Sequence, residues 1–198
     1  AAYNLSLMQE YADGLGARFA FTIAPDKSSL YPEHLPGYPE SDAPSNAERL
    51  KTVLDELDVA YVDLFELFES QDEVLYFEHD SHWNSRGAAL AADAINSALG
   101  VSSNYGEGFD YETSQHTGDL FEMLYPAGED GETNDEPTAM NFNQGENVRP
   151  DSITIETTGA GELNLLMFRD SFGELLYPFM AESSAAARFS RMAAYDLT

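Results

Sequence analysis

Asp80-Ser81-His82-Trp83 and Arg169-Asp170-Ser171-Phe172-Gly173 hold between them a carboxylate, an imidazole and a hydroxyl. The first segment sets the acid and the imidazole two residues apart, just ahead of an alanine-rich helical pattern. The second sets the serine between the apolar run Leu163–Phe168 and a helix, on a turn where a hydroxyl stands clear of the backbone. These are the parts of a relay in which a carboxylate orients His, His deprotonates Ser, and Ser attacks a carbonyl. The carboxyl edge of a strand is where open α/β sheets hold ligands. The unpaired amides of a helix start can also stabilise an oxyanion there. The tract is not a G-x-S-x-G elbow, because Arg169 stands at the first glycine. Serine is also a common helix cap, and histidine often caps or packs, so the reading depends on the two segments meeting in space.

The neighbours of these residues have several readings. Trp83 can wall the site and hold the imidazole. Arg169 can pair with Asp170, line the sheet edge or contact substrate. Glu78-His79-Asp80-Ser81-His82 offers two imidazoles and two carboxylates to a metal, but a catalytic metal needs about three well-placed ligands. No second histidine cluster supplies them, so no metal is expected, nor any cofactor. The acidic tract around Asp130–Glu136 lacks the D-x-D-x-D-G spacing of a calcium loop and reads as solvated loop. His34 and His116 read as lone structural histidines.

The elements that must position these groups alternate between helical and extended patterns, which predicts a parallel sheet covered on both faces. Leu5, Met8, Tyr11 and Ala12 recur at helical spacing, with Gly14 and Gly16 at the end. A buried strand is expected over 18–24, stopped by Pro25. Ser45-Asn46-Ala47-Glu48 is a capping box, followed by the stripe Leu50, Val53, Leu54 and Leu57. Short strands are expected at Val59–Val62 and Val74–Phe77, with one or two helical turns at Leu64–Phe68. The alanine-rich helix Ser85–Leu99 ends at Gly100. Over 101–150 the patterning fails, and a long acidic loop or insertion is expected, functional or mobile at that length. Its one local anchor is His116–Leu124, a turn into a short helix. Strands at Ser152–Glu156 and Leu163–Phe168, a helix over Gly173–Ala181 interrupted by Pro178, and a strand over 188–194 complete the reading.

A chain of 198 residues suits a single domain, and its 43% hydrophobic content is that of a globular protein. No apolar run approaches the roughly 20 residues of a membrane helix, and no signal-peptide pattern is visible. The chain starts inside the helical pattern Tyr3-Asn4-Leu5 and stops on the strand-like Tyr195–Thr198, so it is expected to be part of a longer protein. With 36 acidic against 9 basic residues and a formal net charge of -27, it repels phosphate backbones and anionic lipid. Nucleic-acid and membrane-surface roles are therefore not expected, and polyanionic glycans such as alginate are disfavoured unless cations mediate. The absence of cysteine rules out disulfides and thiol chemistry and suits an exported protein.

Taken as a set, the motifs carry a resemblance. Asp80-Ser81-His82-Trp83 resembles the motif that names the DHHW proteins, with Ser81 at the second letter. Arg169-Asp170-Ser171-Phe172-Gly173, running on to Pro178-Phe179-Met180, is similar to that family's K/R-D-S-Y/F segment. Pro25–Pro32 with Leu35-Pro36 resembles the P-x-K-x-x-x-Y-P segment shared with the SGNH-like alginate-acetylating proteins, and Gly118-Asp119-Leu120 with Met123-Leu124 resembles another block of these relatives. The resemblance implies a three-layer α/β/α SGNH-hydrolase-like fold with a mainly parallel central sheet. It also implies a permuted block order, with Asp80 and His82 ahead of Ser171. The implied activity is acetyl transfer outside the cytoplasmic membrane, from an acetyl donor delivered by a membrane-bound partner to an exported glycan. Arg169, Trp83 and Tyr31 are the expected substrate contacts. The combined expectation is O-acetyl transfer to a neutral extracellular glycan through acetyl-Ser171. An O-acetylesterase of the same mechanism, or a glycan-binding module on the same frame, is the alternative.

Overall fold

The computed structural model describes residues 1–35, 37 and 43–192. The strand-like end at Tyr195–Thr198, the last two residues of the strand expected over 188–194, and Pro36 lie outside them. The chain opens with α1 (Ala2–Gly14), released at Gly16, whose φ of 70° is the left-handed conformation that glycine tolerates. Of its expected apolar stripe, Leu5 packs near Ala2, Leu54 and Val59, whereas Met8 and Tyr11 remain exposed. The strand expected over 18–24 contracts to β1 (Phe21–Thr22). A short helix α2 (Lys27–Leu30) follows, capped by the Asp26 carboxylate, and then α3 (Asn46–Glu56), whose Ser45–Glu48 capping box forms as expected. β2 (Tyr61–Val62) pairs in parallel with β1, and α4 (Leu64–Glu69) follows. Val74–Phe77 contributes only an isolated bridge from Tyr76 to Trp83. Asn84 caps α5 (Ser85–Ala98), which ends before Gly100 at φ 67°.

The stretch expected as a long loop over 101–150 carries several short elements between its turns. It contains α6 (Tyr105–Gly108), β3 (Tyr111–Gln115), α7 (Asp119–Leu124), β4 (Thr133–Pro137) and β5 (Phe142–Gln144). Strands β3 and β4 form an antiparallel pair with no apolar alternation, because polar side chains rather than a greasy face anchor it. Asn134 exchanges hydrogen bonds with the Ser85 amide and hydroxyl, Arg86 pairs with Asp135, and the Arg86 guanidinium lies 3.7 Å over the Tyr111 ring.

The last third supplies β6 (Thr154–Gly159), β7 (Leu163–Phe168), α8 (Gly173–Glu182) and β8 (Ser184–Ser190). Their sheet runs in the order β5-β6-β8-β7. Strands β7 and β8 are parallel because α8 carries the chain back between them, but β6 runs antiparallel to both β5 and β8. The expectation of a mainly parallel sheet is thereby corrected: the fold is mixed α/β with several sheets. Pro178 lies within α8 without interrupting it. The core gathers Trp83, Phe179, Phe189, Leu64, Leu75, Ile155 and Met180 against the alanine face of α5. Small residues on that face let α5 lie close to α8, and the two helices bracket the segments that carry Asp80, His82 and Ser171.

Candidate active site

Ser171 lies where the sequence pattern puts it, on the turn between β7 and α8. The turn is held without using the serine hydroxyl. Asp170 accepts the Phe172 amide at 3.0 Å, the Ser171 carbonyl accepts the Glu174 amide at 2.9 Å, and the Arg169 amide continues the ladder to the Ser190 carbonyl. No side chain caps α8, so Ser171 is not serving as a cap. Its Oγ instead lies 2.8 Å from His82 Nε2. The other ring nitrogen, Nδ1, lies 2.7 Å from Asp80 Oδ1. A proton on Nδ1, directed at the carboxylate, leaves Nε2 as an acceptor for the serine O–H.

Asp80 is 6% exposed and uses both oxygens. Oδ1 also accepts the His82 amide at 2.9 Å. Oδ2 accepts the Asp119 amide and meets His116 Nε2, each at 3.1 Å. Burial would raise the Asp80 pKa, but hydrogen bonds from His116, His82 and the Asp119 amide outweigh it and hold the carboxyl far below its ordinary range. The hydrogen bond to Asp80 raises the His82 pKa, against the opposing effect of burial. His116, read from sequence as a lone structural histidine, is therefore part of this cluster, stacked on Phe77 at 3.7 Å. Asp119 joins it as well, accepting the Ser81 amide at 2.8 Å and the Ser81 hydroxyl at 2.5 Å. The compact block His116–Leu124, standing alone in a patternless stretch, was the available signal for both.

The loop that carries Asp80 and His82 is braced from several sides. Lys27 Nζ donates to the carbonyls of Glu78 and Asp80, at 2.7 and 3.1 Å. Tyr76 donates its hydroxyl to the Pro25 carbonyl. The acidic tract expected to be solvated loop does the same work: Asp130, with a fully buried side chain, holds His79 Nδ1 and the Gly118 amide, and Glu132 accepts the amides of Glu78 and His79. Gly118 is required by close approach, since a Cβ there would collide with the His79 carbonyl.

The three residues expected to contact substrate each make contacts within the fold, and only Trp83 is buried. Trp83 is 1% exposed and cannot wall an open site; its indole N–H donates to the Phe172 carbonyl at 3.1 Å, and Phe172 packs edge-on to both Trp83 and His82. Tyr31 accepts the Leu75 amide through its hydroxyl and packs on Tyr76. Arg169 donates through Nη1 to the Asp170 carbonyl and through Nη2 to those of Pro150 and Ser152, with its stem folded under Gly173, while its buried Nε has no hydrogen-bond partner among the described residues. Two triads of donor atoms, His79–Asp130–Glu132 and Asp80–His82–Asp119, each lie within 4.8 Å, but hydrogen bonds within the protein already account for their arrangement.

Comparison with known proteins places the chain in a family by its sequence and matches its fold to solved structures. The model of the SGNH hydrolase-like domain, acetyltransferase AlgX, matches residues 4–157. That span takes in Asp80, His82, His116 and Asp119, while Ser171 joins them through the fold. Bacillus cereus PatB1, solved with a sulfonyl adduct, superposes with a TM-score of 0.73 at 18% identity, covering 98% of this chain and 79% of that one. A DHHW family protein from Eubacterium siraeum gives 0.71 at 19%, covering 99% and 77%. The O-acetyltransferase domain of Pseudomonas putida AlgJ gives 0.54 at 14%, covering 96% and 68%. At these identities the likeness to solved structures carries the fold alone. No curated protein matches the sequence.

Proposed function

The chain belongs to the family of SGNH hydrolase-like domains of the acetyltransferase AlgX type, and from that premise we propose that it is a serine-dependent O-acetyltransferase acting on a glycan. The observation that carries this reading is the unbroken line Asp80 Oδ1–His82 Nδ1 and His82 Nε2–Ser171 Oγ, at 2.7 and 2.8 Å. In the first half-reaction His82 Nε2 takes the Ser171 hydroxyl proton as Oγ bonds to the acetyl carbonyl carbon. Asp80 stabilises the imidazolium. The tetrahedral intermediate collapses, the bond to the donor's leaving group breaks, and that group departs with the proton held on Nε2. In the second half a sugar hydroxyl gives its proton to His82 and attacks acetyl-Ser171, which releases the acetylated sugar and restores the serine.

The oxyanion needs donors near Oγ. The Phe172 amide is already engaged by Asp170, whereas the Ser171 amide has no hydrogen-bond partner among the described residues and supports its assignment as one donor. We take the acceptor to be a neutral glycan, because a chain of net charge -27 disfavours the approach of a polyanion. The absence of cysteine and the exported-glycan chemistry implied by the family support a setting outside the cytoplasmic membrane. There a membrane-bound partner would deliver the acetyl group, as the family resemblance implies.

Labelling tests the reading directly. A sulfonyl fluoride should modify the chain at Ser171 in a one-to-one ratio, with labelling lost in Ser171→Ala and strongly slowed in His82→Ala. Modification elsewhere, or unchanged labelling in His82→Ala, would remove the relay from the mechanism.

A further inference from the structure

We infer that Asp119 is a second anionic partner of His82, latched in place by Ser81, and that it helps stabilise the imidazolium formed when His82 takes the Ser171 proton. The inference rests on the acyl-transfer reading above and concerns a positioning and electrostatic role exerted through His82. It starts from two hydrogen bonds that fix one carboxylate. Asp119 stands at the first residue of α7, Oδ1 accepts the Ser81 amide at 2.8 Å, and Oδ2 accepts the Ser81 hydroxyl at 2.5 Å. That latch leaves Asp119 Oδ2 only 3.7 Å from His82 Nδ1, the nitrogen that already faces Asp80. The Asp119 amide in turn donates to Asp80 Oδ2, which ties the backbone that carries the Asp119 carboxylate to Asp80.

Ser81 is the residue that makes this geometry, since it alone offers Asp119 both an amide and a hydroxyl. Its Oγ also lies 3.3 Å from His82 Nδ1. The other charged groups around the imidazole come from every packed element. Asp80 lies on its own loop, with His116 on that carboxylate's far oxygen. Glu174 reaches in from α8, held by Arg191 at 2.7 Å, and Lys27 from α2 reaches the Asp80 carbonyl. Asp119 differs from Asp80 in one respect that an experiment can use. Its side chain is 42% exposed against 9% for Asp80, so salt should screen its contribution far more.

The test is an NMR titration of the His82 ring in the intact chain, run beside ester turnover in the wild type, Asp119→Asn, Ser81→Ala and Ser171→Ala. Asparagine keeps the shape and the acceptor for the Ser81 amide while removing the charge. In Asp119→Asn the His82 midpoint should fall by about half a pH unit at low salt, and the plateau rate by about threefold. High salt should shrink the difference. Ser81→Ala should shift the midpoint the same way by less, and Asp119→Glu should restore it in part. An unmoved midpoint in a folded Asp119→Asn overturns the inference. Should that variant fail to fold, a wild-type midpoint indifferent to salt together with an unmoved midpoint in Ser81→Ala overturns it instead. Full turnover in Ser171→Ala is a separate result: it defeats the acyl-transfer reading, and with it the imidazolium role, even where the midpoint shifts.

Discussion

At Ser171, His82 and Asp80 each contact has a distinct chemical consequence. On the proposed mechanism, Ser171→Ala and His82→Ala should each lower turnover of a nitrophenyl acetate by about 10³-fold or more. Asp80→Asn should cost less. The Ser171→Ala/His82→Ala double variant should lose little beyond either single one, because a relay acts as a unit; multiplicative losses would show that the two residues act separately. The pH profile follows from the same geometry. The hydrogen bond to Asp80 raises the His82 pKa above its ordinary 6.5, and only the neutral imidazole can take the serine proton. The acidic limb of the rate profile should therefore lie above 6.5 and move down in Asp80→Asn. Asp80 is shifted the other way, so its contribution to stability is complete above its ordinary value of 3.8 and is lost as pH falls further below it. Asp80→Asn should flatten that acid-side decline in a denaturation series.

Among the elements, the segments that never touch the serine decide whether it works. Residues 78–82 have little regular structure of their own, and they stay in register through Lys27 from α2, Glu132 and Asp130 from the tract before β4, and Gly118 before α7. Gly118→Ala should displace the His79 carbonyl and with it the Asp80 amide, reducing turnover by about tenfold or more while the chain remains folded, since misplacing a reacting group by about 1 Å can cost 10²-fold. Lys27→Met should act in the same direction and more weakly, through loss of two hydrogen bonds to the loop backbone. Circular dichroism and turnover measured on the same samples check both; unchanged turnover in Gly118→Ala would mean the loop yields without moving His82. The capping box at Ser45 was legible in sequence because local hydrogen bonds specify it. Strands β3 and β4 were not, because their anchors are polar contacts with α5, reached only through the fold.

For the molecule as a whole, charge is the dominant long-range property. With 36 acidic against 9 basic residues, a polyuronate meets a repulsive field at low ionic strength and a neutral oligosaccharide does not. Acetyl transfer to neutral acceptors should therefore exceed transfer to uronates at low salt, with the gap narrowing as salt rises. A uronate preference that weakens with salt would reveal a basic groove. The same field opposes compaction, so thermal stability should increase between low and moderate salt.

The chain's own order of residues was enough to nominate a chemistry and the residues that could carry it. An acid two residues before an imidazole, and a serine between an apolar strand and a helix, are local patterns set by backbone periodicity and turn geometry. Asp80, His82 and Ser171 could be named on that basis. Tertiary structure decided everything that depends on one segment meeting another. Burial took Trp83 away from any open surface, the Leu75 amide engaged the Tyr31 hydroxyl, and neighbouring carbonyls engaged the two Nη groups of Arg169. The acidic tract became a scaffold for the loop that carries Asp80 and His82, and His116 and Asp119 reached the Asp80 carboxylate from a stretch in which the sequence offers only one local anchor. The sheet came out mixed because strand direction depends on which strands become neighbours, which the apolar pattern along each strand does not encode.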